Sequence, residues 1–122
     1  MKTVRFGIIG CGLMGREFAS AAMRWGHLTK MDVRPEIVAL CDRIVKRAEY
    51  MAQKCQLASA RIFTDIHDLL ASVDCDAVMV TTSDAHHCEV VLPALKAGKF
   101  VFCEKPLEIS LKACRDIIAA DR

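Results

Sequence analysis

The sequence lacks any apolar run near the ~20 residues that a helical membrane span requires, so an integral membrane helix is excluded. It also lacks an excess of charge of one sign. Seventeen Lys and Arg against fifteen Asp and Glu leave a formal charge of +2. That balance argues against a nucleic-acid binder, whose surface is strongly basic. There is no internal repeat, no low-complexity segment and no inter-domain linker, so the 122 residues are read as one domain, 1–122. The first residues, Met1-Lys2-Thr3-Val4-Arg5-Phe6-Gly7, run straight into a strand-like pattern. The longer apolar stretch and small-residue cleavage site of a signal peptide are missing, and a cytoplasmic location is expected.

No two of the seven cysteines are spaced Cys-x-x-Cys, and their odd number rules out complete internal pairing. Several sit beside apolar residues, as in Ala39-Leu40-Cys41 and Val101-Phe102-Cys103. They are read as small buried residues in a reducing compartment. His86-His87-Cys88 is the sharpest metal-like cluster. Adjacent helical residues point about 100° apart, so the three cannot share one ion, and no metal site is expected.

What is present is an alternation. A buried strand is expected over 3–9, from Val4, Phe6, Ile8 and Ile9, followed by a helix over 16–25 with Gly26 as its stop. Residues 27–36 are polar, contain Pro35 and read as a loop before a short apolar strand over 37–41. A helix over 44–55, a minimal strand at 62–63 and a short helix capped by Thr64 or Asp65 come next. The all-apolar strand 77–80 leads to a helix that Asp84 is placed to cap. Pro93 should kink that helix or mark its late start, and Gly98 should end it. A strand over 99–103 and a last helix capped by Ser110 complete the order. Continuous apolar strands alternating with amphipathic helices imply an α/β, doubly wound parallel sheet covered on both faces. Ligands bind such folds at the carboxyl ends of the strands. Gly10 to Gly15, Asp42, Thr81 to Asp84 and Glu104 to Pro106 all fall at such ends.

Gly10-Cys11-Gly12-Leu13-Met14-Gly15 follows a strand and opens a helix, the context a dinucleotide cradle requires. Gly10 permits the tight turn, Gly12 lets backbone approach a pyrophosphate, and Gly15 lets helix and strand pack closely. The helix N-terminus adds oriented N–H donors. Asp42 suits the two adenosine ribose hydroxyls and would repel a 2′-phosphate, favouring NAD. The alternative role for Asp42 is a cap for the helix that follows. Arg43 could pair with a 2′-phosphate or stack on adenine, so NADP stays open. Thr81, Thr82 and Ser83 end the fourth strand on the same side. Lys105, in Glu104-Lys105-Pro106, is placed to stabilise charge on a substrate oxygen during hydride transfer, with Pro106 fixing the backbone. The alternative is a solvated Glu-Lys pair before a turn proline.

Together these segments resemble the N-terminal domain of the glucose–fructose oxidoreductase / inositol dehydrogenase (Gfo/Idh/MocA) family over essentially the whole chain. The likeness rests on 6–15, on Ala39-Leu40-Cys41-Asp42, on 82–89, and above all on Ala94-Leu95-Lys96-Ala97-Gly98-Lys99 followed by a strand and Glu104-Lys105-Pro106-Leu107. The resemblance implies an NAD(P)-binding Rossmann domain in which Lys105 is catalytic. Thr82 and His87 then fall in a loop that contacts cofactor, with Ser83 where proline is usual and Asp84 where asparagine is usual; the alternative for His87 is a plain packing residue. It also implies that the substrate, a sugar, polyol or related hydroxy compound, is held by a second α/β domain. In the family that domain carries further catalytic residues and much of a homo-oligomer interface. The expected function is the cofactor-binding part of an NAD(P)-dependent oxidoreductase, with little catalysis on its own. A redox-sensing nucleotide-binding module, or a flavin or S-adenosylmethionine in the same cradle, stands as the alternative.

Overall fold

The computed structural model describes residues 2–27, 30, 32–82, 87–104 and 110–121. Strands β1 (Lys2–Ile9), β2 (Val33–Cys41), β3 (Arg61–Phe63), β4 (Ala77–Val80) and β5 (Phe100–Cys103) alternate with helices α1 (Leu13–Met23), α2 (Val45–Lys54), α3 (Ile66–Ser72), α4 (His87–Lys96) and α5 (Leu111–Asp121). The five strands form one sheet in the order β3-β2-β1-β4-β5, and all four pairings are parallel. This is the doubly wound arrangement that the alternation implies, with its switch point between β1 and β4.

Two apolar clusters lie on opposite faces of the sheet. One gathers Ile8, Leu40 and Met79 from the strands with Ala19 and Ala22 of α1 and Ala48 and Met51 of α2. The other gathers Ile9, Cys41, Val78 and Val80 with Leu69 of α3, Val91 and Ala94 of α4 and Ile117 of α5. Neighbours such as Ile8 and Ile9 therefore face opposite cores, as the two-residue period of a strand demands. Ile37 breaks that period: it shares a core with Leu40, three residues on. The register explains it. Phe6 pairs with Ile37 but Gly7 pairs with Ala39, so β2 carries one extra residue at Val38. The bulge lets Val38 and Ala39 both contribute to the α3–α4 side.

The structure corrects the loop expected over 27–36. Trp25–His27 is a 3₁₀ turn, and β2 begins at Val33, with Pro35 inside it opposite Val4. Only Ala39–Cys41 of β2 pairs with β3. At Pro35 the strand has no neighbour on that side among the described residues, the edge position where a proline's missing N–H is tolerated. The helix read as starting at Arg16 instead begins at Leu13, so Gly12 is its N-cap.

Other terminators behave as expected. Asp65 caps α3, accepting the His67 N–H at 2.7 Å, and the Ser110 hydroxyl accepts the Ala113 N–H at 3.4 Å. Pro93 sits inside α4, which excludes the late start. Gly98, at φ +76, closes α4: its N–H donates to Leu95 and that of Lys99 to Ala94. Asp84 lies outside the described residues.

Candidate functional site

The carboxyl ends of β1, β2 and β4 surround a cleft of about 570 Å³ lined, among others, by Gly10, Gly12, Asp42, Arg43, Thr81 and Thr82. Its floor is built around Gly10. This residue has φ +101, and a Cβ there would lie 2.7 Å from the backbone of Thr81 and Thr82. The Gly10 N–H donates to the Cys41 carbonyl at 2.8 Å. Its own carbonyl accepts the Thr81 hydroxyl at 2.6 Å. Three strand ends are thus stitched at one glycine.

The other two glycines do separate work. A Cβ on Gly15 would collide with the Gly10 carbonyl, so this position sets how closely α1 approaches β1. A Cβ on Gly12 would meet nothing within 4 Å. Gly12 also caps α1 without a side-chain hydrogen bond, and no acidic residue lies in the first turn of that helix. The first N–H groups of a helix have no partner within it. The open face of Gly12 lies beside them, and the Thr82 hydroxyl is buried without a hydrogen-bond partner among the described residues, two features that suit an anionic group such as a pyrophosphate. Bound here, NAD would meet these N–H donors and Asp42.

Asp42 carries two loads. Its Oδ2 accepts the Cys11 N–H at 2.9 Å and its Oδ1 accepts the Ile44 N–H at 2.8 Å. One carboxylate therefore ties the glycine loop to the turn entering α2. The capping alternative holds only partly, because the N-cap of α2 is Ile44, which has no side-chain cap bond. Each Asp42 oxygen keeps a further lone pair for a hydroxyl donor. Arg43 reaches across the cleft, its Nη2 2.9 Å from Oε2 of Glu89 on α4.

The remaining residues expected at the site fall elsewhere. Cys11 is buried, with its Sγ 3.5 Å from the Cys41 carbonyl. Burial, with the Asp42 charge nearby, pushes the Cys11 thiol up to about 12. Burial and Asp65 push Cys41 up to about 11. Both therefore stay protonated near neutral pH and supply no thiolate to the cleft. Leu13 and Met14 expose their side chains and are not among the residues that line the cleft. His87 is wholly buried, its Nε2 2.9 Å from the Thr82 carbonyl, where it braces the turn after β4. The Glu104 N–H donates to the Val80 carbonyl at 2.9 Å, holding the end of β5 beside Thr81. Ser83, Lys105 and Pro106 lie outside the described residues.

Sequence reasoning missed Arg47, Thr64, Asp65, His67, Glu89 and Val90 as cleft residues. Thr64 and Asp65 were findable, because they end β3 and strand ends were the guide. Arg47, one turn into α2, carries no comparable signal.

The profile of the Gfo/Idh/MocA oxidoreductase family, NAD-binding Rossmann fold, matches residues 4–122. The chain belongs to this family. It is 35% identical over 118 residues to an inositol 2-dehydrogenase/D-chiro-inositol 3-dehydrogenase of Lactiplantibacillus plantarum, covering 97% of this chain and 32% of that one. Among solved structures, apo scyllo-inositol dehydrogenase from Lactobacillus casei matches with a TM-score of 0.82 and 28% identity, covering 98% of this chain and 33% of that one. The WlbA dehydrogenase from Bordetella pertussis, in complex with NADH and UDP-GlcNAcA, matches with a TM-score of 0.85 and 25% identity, covering 98% and 34%. The chain thus spans about a third of the length of these Gfo/Idh/MocA relatives. It is an oxidoreductase-family NAD-binding domain. No helix among the described residues is long and apolar enough to cross a membrane.

Proposed function

We propose that residues 1–122 form the cofactor-holding domain of a cytoplasmic enzyme that transfers hydride between NAD and the hydroxyl-bearing carbon of a polyol or sugar derivative. The observation that carries this reading is the cleft at the sheet's switch point, where the face of Gly12 is open and Asp42 is already oriented by two backbone N–H groups. Asp42 would accept the adenosine ribose hydroxyls, and the N–H groups of the first turn of α1 would hold the pyrophosphate. Bound NAD supplies the nicotinamide that takes or gives the hydride. Lys105, which comes soon after β5 in the sequence, is assigned the substrate oxygen, where an ammonium group stabilises developing negative charge. The inositols in the relatives' names and the UDP-sugar bound in one solved structure support the polyol or sugar class. The substrate pocket and the contacts of a homo-oligomer are assigned to a second domain, as the relatives' threefold greater length supports.

Gly12→Val tests the site. Its Cβ meets no protein atom within 4 Å, and its branches extend into the space assigned to the pyrophosphate. NADH affinity measured by calorimetry should fall by ~10-fold or more, the loss of at least one charge-assisted hydrogen bond. The thermal midpoint without cofactor should fall by only a few degrees, because valine is the poorer N-cap but its Cβ meets no clash. Unchanged affinity would overturn the assignment.

A further inference from the structure

The Arg43–Glu89 pair has a consequence for which dinucleotide the cleft accepts. Arg43 follows Asp42 directly at the end of β2, and Glu89 comes from α4 on the far side. Both side chains are mostly exposed, so burial does not hold them together; their 2.9 Å contact is an ion pair across the cleft. Among the described residues the cleft around it is lined by three carboxylates, Asp42, Asp65 and Glu89, against two guanidinium groups, Arg43 and Arg47. Asp42 has little freedom to turn away, because the Cys11 and Ile44 N–H groups fix its two oxygens.

An adenosine 2′-phosphate would bring nearly two negative charges to this end. It needs a guanidinium in the bidentate geometry that arginine offers a phosphate. Arg43 is the cation next in chain to the ribose-binding carboxylate, and Glu89 already occupies it. We propose that Glu89 is a specificity-determining residue: by holding Arg43 and adding a second carboxylate near the ribose, it makes the cleft take NAD and reject NADP. The inference rests on the reading of the cleft as a dinucleotide site. Arg43 thus becomes a latent phosphate ligand, released only when its partner carboxylate is removed.

The test is the pair of dissociation constants for NADH and NADPH, measured on the 122-residue chain and on Glu89→Gln, Arg43→Gln and the double variant. The wild-type chain should prefer NADH. Glu89→Gln should tighten NADPH by about three- to tenfold, the scale of one exposed charge interaction near a dianion, with NADH changed by less than about twofold. Rising salt, from about 0.05 M to about 0.5 M, should erase most of that gain. The double variant should lose it, because the gain passes through Arg43. Glu89→Ala, a second removal of the carboxylate, should shift the ratio in the same direction. An unchanged NADPH-to-NADH ratio in both Glu89 variants, or a gain that survives in the double variant, would overturn the proposal and leave the cleft reading standing. Wild-type preference for NADPH would do the same. A wild-type chain that binds neither dinucleotide would overturn both.

Discussion

The two ends of the sheet are each organised by one aspartate, and they differ in what is left over. At the amino end, Oδ2 of Asp76 accepts the Arg5 N–H at 2.8 Å, and the Asp76 N–H returns a bond of the same length to the Arg5 carbonyl. The Arg5 guanidinium lies 3.2 Å from Asp74 and 3.6 Å from Asp76, and the Phe100 N–H donates to the Asp76 carbonyl. Donors and acceptors there satisfy one another, and strands β1, β4 and β5 are tied together. At the carboxyl end, Asp42 ties the glycine loop to the α2 turn in a similar way. Yet α1 has no side-chain cap, the Gly12 face is open, and the Thr82 hydroxyl lacks a partner among the described residues. A parallel sheet explains the asymmetry. Every strand-to-helix turn falls at one end, so helix N-termini with unmatched donors collect there. Similar aspartate anchoring thus serves stability alone at one end and a prepared binding surface at the other.

Three substitutions sharpen this contrast. The largest effect is expected from Gly10→Ala, which combines a left-handed backbone with a clash against the backbone of Thr81 and Thr82. Overpacking and strain together should cost about 3 kcal/mol or more, read as a large drop in the urea midpoint. A midpoint close to wild type would show that the three strand ends are not stitched at this residue. Asp42→Ala comes next. It leaves the part-buried Cys11 N–H without its acceptor and the exposed Ile44 N–H to water, and stability should fall by about 1–3 kcal/mol. Affinity for NADH should fall with it, and NADPH affinity should not rise to compensate, because the phosphate loop itself loses its tie. A clean switch to NADPH with full stability would mean that Asp42 is only a ribose ligand.

The smallest effect is expected from Asp76→Asn, and it should depend on pH. The Arg5 N–H bond, then the Arg5 charge, hold the Asp76 carboxyl below its ordinary value of 3.8. The unfolded chain therefore takes up the proton first as pH falls, so the native state loses this contribution below about that pH and keeps it above. The variant should melt a few degrees below wild type at pH 7, with the gap closing in acid, and NADH affinity should stay unchanged. A gap independent of pH would remove the carboxylate charge from the account.

Much of this was legible locally. The glycine motif announced its cradle because its spacing, straight after a strand and at the head of a helix, is local, although the backbone that forbids a side chain at Gly10 belongs to Thr81 and Thr82. Asp65, Gly98 and Ser110 could be read as terminators because caps act over one turn. The first half of β2 was not legible. Pro35 and polar neighbours imitate a loop, and only the shortness of β3 makes an edge position where that proline is tolerated. His87 could not be assigned from its place near a loop, since a motif position does not tell a buried brace from a surface contact. The contribution of α4 to the cleft was equally hidden.

The sequence by itself determined the order of strands and helices, the parallel doubly wound sheet, and the end of that sheet at which chemistry gathers. These follow from periodicity and from turn residues, which act over a few positions of chain. Only the tertiary structure decided that Thr81 closes on Gly10 across 71 positions, that Val38 bulges to bring Ile37 beside Leu40, and that Arg43 meets Glu89 across 46. Those contacts depend on strand register and crossover geometry. Neither is set by a residue's neighbours in the chain.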